Sequence, residues 1–302
     1  MVGGGIAGLL LASRLQDKGF SPLVFDRRRI VGKKCTGVIS RDTFYKLKVS
    51  KEFVDREFKT IVIHHEKNQV FVSTDVLRLN RARLEQELWK NLKVEIGNAE
   101  ILNNGVLANG RKIEGNVINC SGWKGNAKWV KAIELLIDVD VGEEIHVYLD
   151  KRNPAGFSWS VPLPYGTLIG ALSYSDPRQF LPHVKGRVIE MHGGAIPRAR
   201  PLEPNVRSLG DATGNIKTFT GGGIFGIATL IDPLVDFISG DPKGYFETYK
   251  KISSEVQKQY KLTSLLERTW RLTLLSVKLF NGKTITVKEE FDFHSLLPSI
   301  PH

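Results

Sequence analysis

The chain has 302 residues, of which 41% are hydrophobic, 25% charged and 9% aromatic. That make-up excludes disordered, collagen-like and disulfide-scaffold classes and provides for a sizeable core. Lys and Arg number 43 against 32 Asp and Glu, a net charge of +11, which suits nucleic acid, an anionic membrane or phosphorylated ligands; with no helix-turn-helix, zinc-finger or RNP-type motif beside it, solvated lysine faces are the simpler reading and no nucleic-acid partner is expected.

The opening Met1-Val2-Gly3-Gly4-Gly5-Ile6-Ala7-Gly8 runs into a helical pattern through Leu9, Leu10, Leu15 and Lys18. Gly19 stops it, and a strand Pro22 to Phe25 follows, ending in Asp26. Strand, GxGxxG turn, helix and acid-terminated strand make a dinucleotide-binding unit. Glycines at Gly3, Gly5 and Gly8 permit the tight turn, close approach of a pyrophosphate to backbone N–H groups, and packing of helix on sheet. Asp26 stands 18 residues past Gly8, near the ~20 expected of a ribose-binding acid.

Only Met1 and Val2 precede the glycines, where about four to six apolar residues would form the first strand. A stub strand that weakens sheet and cofactor site, or a translation start placed too late, is therefore expected. The same two residues leave no basic leader, and Ile6 to Ala12 is far short of the ~20 residues that span a bilayer. Two cysteines, Cys35 and Cys120, fit a reducing compartment, so a cytoplasmic protein is expected.

After Asp26 a basic loop carries Arg27, Arg28, Arg29, Lys33 and Lys34 before Cys35-Thr36-Gly37. It could embrace phosphates; Arg27 suggests a 2′-phosphate, whereas Asp26 favours a free ribose hydroxyl. Alternation then predicts a hairpin over Thr60 to His64 and Val70 to Ser73, and an amphipathic helix over Leu79 to Trp89. His64 and His65 fall on opposite faces of their strand, cannot chelate one metal as a pair, and read as surface histidines; no metal is expected. Short strands follow near Lys93 to Ile96, Gly105 to Leu107 and Asn116 to Asn119.

From Ala132 to His192 the pattern is mostly β, with strands at Ile133 to Val141, Glu144 to Leu149, Phe157 to Leu163, Thr167 to Tyr174 and Arg187 to His192. This reads as a second sheet inserted between parts of the nucleotide domain. The chain returns through a short strand, Asn205 to Asp211, a glycine-rich turn at Thr220 to Ile224 and an apolar helix through Ile227 and Leu230. From Asp241 the tail is helical and amphipathic.

The set GxGxxG with Asp26, Cys35-Thr36-Gly37, the helix opening Arg81-Ala82-Arg83-Leu84, Gly156 to Pro162, Gly193 to Pro197, Gly210 to Gly214 and Thr220 to Ile224 resembles the geranylgeranyl reductase family. That family is a branch of the FAD-dependent, p-hydroxybenzoate-hydroxylase-like flavoproteins, and the likeness spans residues 1 to about 240 in family order. It implies an α/β fold: a Rossmann-like FAD-binding domain (1–55, 76–130 and 193–240), an inserted antiparallel β-sheet substrate domain (56–75 and 131–192), and a short helical C-terminal region (241–302).

It further implies FAD held by Gly3, Gly5, Gly8, Asp26, Arg27, Arg83, Gly210, Asp211, Gly221, Gly222, Gly223 and Ile224. Asp26 would bond the adenosine ribose and Asp211 the ribityl chain, and the amides opening the helix after Gly223 would stabilise the reduced flavin. Cys35 corresponds to the family's cysteine near flavin and substrate, although the usual Cys-Gly-Gly has become Cys-Thr-Gly; the functional alternative to an inert loop thiol is a catalytic one. Cys120 stands where related hydroxylases carry an Asp-Gly pair that helps recognise NADPH, and reads as structural. Phe157, Trp159, Val161 and Pro162 match the family's Tyr-x-Trp-x-Phe-Pro, with 157, 159 and 161 on one strand face as an apolar wall.

The implied reaction is hydrogenation of an isolated C=C bond in an isoprenoid lipid or prenyl diphosphate, with electrons from NAD(P)H or ferredoxin and a peripheral membrane contact through Leu265 to Phe280. Two alternatives stay open. One is a flavin-dependent halogenase or monooxygenase, since Phe-x-Trp-x-Val-Pro is similar to the halogenases' Trp-x-Trp-x-Ile-Pro, although those enzymes are longer and need a catalytic lysine. The other is a non-catalytic FAD-binding module.

Overall fold

The computed structural model describes residues 1–32 and 35–287; Lys33 and Lys34 of the basic loop and the end of the expected helical tail lie outside them. The chain runs through α1 (Ile6–Asp17), β1 (Leu23–Asp26), β2 (Val38–Ser40), α2 (Arg41–Leu47), β3 (Val54–His65), β4 (Asn68–Leu79) and α3 (Arg81–Lys90). Next come β5 (Lys93–Ile96), β6 (Ala99–Leu102), β7 (Gly105–Ala108), β8 (Arg111–Glu114), β9 (Lys128–Ile137) and β10 (Ile145–Tyr148). It ends with β11 (Phe157–Leu163), β12 (Gly166–Ser173), β13 (Val188–Arg198), α4 (Ile224–Ile238), α5 (Tyr245–Arg268), α6 (Trp270–Leu279) and β14 (Thr284–Thr286).

The nucleotide-binding half is built around the stub. Val2 bridges Phe25 of β1 on one side and Asn119 on the other, Asn119 bridges Ser208, and β1 pairs in parallel with β5. The expected weakness is offset by complete pairing. Val2 N–H donates to Ile118 and Gly3 N–H to Phe25, while Met1 and Val2 carbonyls accept from Phe25 and Cys120. A strand of two residues suffices because every backbone group it offers has a partner on one side or the other.

The antiparallel meander β6–β7–β8 covers one face of this parallel sheet, packing Val106 and Ala108 on Val2 and Phe25. Helix α1 covers the other. Its Leu9 and Ala12 meet Val24, while Leu10, Leu11 and Leu15 pack with α4 and the tyrosines of α5. Burial all round, rather than on one stripe, marks α1 as a central helix, each buried leucine contributing about 1.5–3 kcal/mol.

The second sheet has nine strands in the order β13-β9-β12-β11-β10-β3-β4-β14, with β2 also on β4. The hairpin strands β3 and β4 lie in the same sheet as the strands after residue 128, and the expected boundaries at 75/76 and 192/193 fall inside β4 and β13. One face of the sheet carries Ile61, Ile63, Val70 and Val72 against Leu266, Trp270, Leu274 and Val277 at the end of α5 and in α6. The tail is not wholly helical, since Thr284–Thr286 pairs with β4. Among the described residues no helix is long and apolar enough to cross a membrane.

His64 and His65 do point to opposite faces, but neither is a surface histidine. His65 is buried with Nδ1 at 3.0 Å from the Leu149 carbonyl. His64 is half-buried, 2.9 Å from His146 Nδ1 and stacked on Tyr148.

Candidate functional site

The glycine turn is fixed by sterics. Gly3 has φ +111° and a side chain there would strike the Cys120 carbonyl, while one at Gly8 would strike the Gly3 carbonyl. Gly5 is different: the nearest atoms to a β-carbon would be Arg81 Nη2 at 3.6 Å and Arg28 Nη2 at 3.9 Å. The N-terminus of α1 thus opens onto two guanidinium groups, a setting that favours a bound anion.

Two buried carboxylates hold those guanidiniums. Asp26 accepts the Gly4 N–H at 2.6 Å and the Arg28 N–H at 2.7 Å, and the Arg28 side chain donates Nε at 3.1 Å and Nη2 at 2.8 Å to the same group. Burial alone would raise the Asp26 pKa; hydrogen bonds and charge from Arg28 outweigh it and hold the carboxyl below its ordinary range. Glu85, fully buried, accepts the Ile6 N–H at 2.9 Å and Arg81 Nε at 2.6 Å. Donors, charge and open space at Gly5 fit a dinucleotide pyrophosphate.

At the glycine turn the structure places Arg28 and Arg81, not the expected Arg27 and Arg83. Arg27 is exposed, and Arg28 takes the place at Gly4 and Asp26. Arg83 donates to the Glu52 carbonyl at 3.3 Å beside Phe53, whereas Arg81 faces the glycine turn. The signal for Arg81 lay in the sequence, because Arg81 and Glu85 stand four apart on one helix face.

Opposite this turn, Gly210 (φ +71°) opens a 3-10 turn to Thr213 that packs on Ala7 of α1, where a β-carbon would overlap. The following Asp211 carboxylate lies over the start of α4, 2.5 Å from where a Gly223 side chain would begin. Gly221, with φ +77°, closes a loop in which its N–H donates to the Lys217 carbonyl and Gly222 accepts from Lys217 N–H. Ile224 is buried in the core, so only its backbone faces the turn. Asp211 and the glycines therefore stand together at the amino end of a helix, as a polyol and a flavin edge would need.

Cys35 lines a cavity of about 340 Å³ between the nucleotide half and the large sheet. Asn80 and Arg83 line it at the start of α3, and Arg78 of β4 lines it with Glu134, Leu136, Leu168, Glu190 and His192 of the same sheet. Gly37 (φ +70°) fixes the loop by accepting the Leu79 N–H at 2.8 Å, and a side chain there would strike the Leu79 carbonyl. Thr36 donates its hydroxyl to Glu134. Arg78 pairs with Asp55, which also accepts the Tyr165 hydroxyl at 2.7 Å.

Phe157, Trp159 and Val161 share one sheet face; none of the three lines the cavity, but residues in register with two of them do: Glu134, reached from Trp159 across Gly170, and Leu168 and Leu136 in line with Val161. Val161 itself is core, and Pro162 alternates to the opposite face. Phe157 stacks on Phe219 at 5.6 Å, joining the sheet to the glycine loop before α4. The wall is not purely apolar, because Glu134, Glu190 and His192 lie beside it. Cys120 sits under Gly8, and burial pushes its thiol up to about 12, the behaviour of an inert core cysteine. Among the described residues no cluster of three His, Cys, Asp or Glu could hold a metal.

Residues 1–50 match the NAD(P)-binding Rossmann-like domain family. No curated protein sequence matches the chain. A geranylgeranyl bacteriochlorophyll reductase-like protein from Thermoplasma acidophilum has a similar structure, with TM-score 0.76 and 18% identity over 97% of this chain and 93% of that one. A flavin-dependent halogenase from Xanthomonas campestris gives TM-score 0.64 at 15% identity, covering 85% of this chain and 74% of its own. A probable FAD-dependent monooxygenase from Pseudomonas aeruginosa gives 0.63 at 16%, covering 92% and 96%. The chain has the fold these flavin-dependent oxidoreductases share.

Proposed function

We propose that this chain, having that fold, binds FAD and reduces C=C double bonds of a geranylgeranyl-type isoprenoid lipid or diphosphate. The observation that carries the reading is Cys35, presented from the nucleotide half into a cavity whose far wall is the sheet row beside Trp159 and Val161. Likeness to the Thermoplasma protein over nearly the full length of both chains supports it.

When bound and reduced, FAD supplies the hydride. The chain's own residues do the rest. Arg28 and Arg81 would neutralise the pyrophosphate at Gly5, Asp26 would accept from the adenosine ribose in place of one of its Arg28 bonds, and Asp211 would accept from the ribityl hydroxyls. The amides at Gly223 and Ile224 hold negative charge at the start of α4. Leu136, Leu168 and the row beside them offer the alkene an apolar surface that fixes it, and such placement can supply roughly 7–11 kcal/mol of an uncatalysed barrier. Cys35 is proposed to position the alkene or to supply a proton to its second carbon. NAD(P)H or ferredoxin is proposed as electron donor, and an anionic membrane surface as the place of substrate encounter.

The test is to reconstitute the protein with FAD, reduce it with dithionite and add a geranylgeranyl lipid without oxygen. Reoxidation of the flavin with a saturated product is expected. No alkene-dependent reoxidation, with a halogenated or hydroxylated product when dioxygen and halide are given, would replace this reading by the halogenase or monooxygenase one.

A further inference from the structure

Four residues stand in register across four strands: Trp159 on β11, Gly170 on β12, Glu134 on β9 and His192 on β13. Glu134 is a carboxylate in the middle of a sheet, its side chain 4% exposed. Burial of such a group is costly unless its oxygens are satisfied. One oxygen is: Oε2 accepts the Trp159 indole N–H at 2.8 Å and the Thr36 hydroxyl. The other, Oε1, makes no hydrogen bond among the described residues and faces His192 Nε2 at 3.2 Å. His192 lines the Cys35 cavity and its side chain is 25% exposed. The pair thus reaches from a fixed, buried carboxylate to a ring in contact with water.

We infer that His192 is the proton-bearing side chain of this cavity, and that Glu134 is the positioning residue that fixes which ring nitrogen gives the proton. Its catalytic part rests on the alkene-reduction reading; its structural part does not. Saturating an alkene breaks the π bond and forms two C–H bonds, one from the hydride of reduced flavin and one from a proton. The histidinium releases the Nδ1 proton to the second carbon, and the neutral ring left behind keeps its Nε2 proton, which a small turn of the ring would bring onto Glu134 Oε1. Water in contact with the ring, whose side chain is 25% exposed, returns the proton. Trp159 and Thr36 hold the carboxylate in one orientation, as orienting carboxylates do for other catalytic histidines. Cys35 then positions the alkene.

The first experiment needs no flavin. Nitrogen-15 spectra of the full chain, taken at the alkaline end of a titration where the ring signals no longer move with pH, should show His192 as the Nε2–H tautomer. In Glu134→Gln the amide keeps an oxygen for Trp159 and Thr36 but turns its NH2 toward the ring, so the tautomer should switch to Nδ1–H. An unchanged tautomer overturns the positioning role. Next, His192→Gln should slow alkene-dependent flavin reoxidation by at least about 100-fold, the lower end for loss of general acid catalysis, with FAD affinity changed less than about twofold. Reoxidation at the wild-type rate overturns the proton role. If no alkene reoxidises the wild-type protein, the alkene reading and the proton role fall together, and the tautomer spectra still decide the Glu134–His192 pair.

Discussion

The Trp159 indole lies across Gly170, where a β-carbon would overlap the ring. That absence of a side chain lets the indole cross β12 and reach Glu134 on β9. Gly170→Ala should therefore expel the ring, strand the Glu134 carboxylate and destabilise the protein by about 1–3 kcal/mol. In a Trp159→Ala background the same change should cost much less. A double-mutant cycle by urea unfolding reads the coupling, and additivity within about 0.5 kcal/mol would show that the two residues act independently.

Arg81 and Arg83 separate two readings of one helix opening. Arg81→Gln should weaken FAD binding at least about tenfold, the loss of one charge-assisted contact, and Arg83→Gln should change it less than about twofold, both by fluorescence titration. Arg81→Ala should also destabilise the fold by about 3–5 kcal/mol, the cost of removing one member of a buried ion pair. Equal effects of the two Gln variants on binding would show that the phosphate cradle does not lie at Gly5.

Local signals carried the nucleotide half. Three glycines, a helix and Asp26 lie within 26 residues, and each acts on its near neighbours, so the turn and the acid were legible. Strand alternation likewise put Phe157, Trp159 and Val161 on one face. Which residues face them across the sheet depends on register with β12, β9 and β13, which no local pattern specifies. Glu134 and His192 were therefore missed, although an acid at an inward position between Ala132 and Leu136 was itself a signal. Arg28 was missed in favour of Arg27 because only the backbone path after Asp26 decides which arginine folds back.

His64 gives the protein a pH response of its own. Burial, with repulsion from His146, pushes its pKa down to about 4, and burial lowers that of His146 too. In the unfolded chain both take protons near pH 6.5. The unfolded state then binds more protons than the folded one between these values, so stability is full above about pH 6.5 and falls as pH drops toward 4. Urea midpoints should fall through this window in the wild type, and His64→Gln should flatten the slope. An identical slope in the variant would place the response elsewhere, as the depressed Asp26 acts only below about pH 4.

Helix α6 turns Trp270, Leu274 and Val277 to the sheet and leaves Leu272, Leu275 and Leu279 exposed, the outermost 69% exposed. These leucines recur at the spacing of one helix face, and exposed Arg268 and Arg271 flank them. An apolar stripe beside arginines on a chain of net charge +11 matches an anionic lipid surface, where each basic residue adds about 1 kcal/mol to the apolar term. The holoprotein should float with vesicles containing phosphatidylserine, less with neutral vesicles, and least in high salt. Leu272→Asp with Leu279→Asp should abolish flotation while FAD binding stays intact, since neither residue approaches the glycine turn. Flotation that survives both aspartates would move the lipid contact off α6, and no flotation of the wild type would leave the stripe without a membrane role.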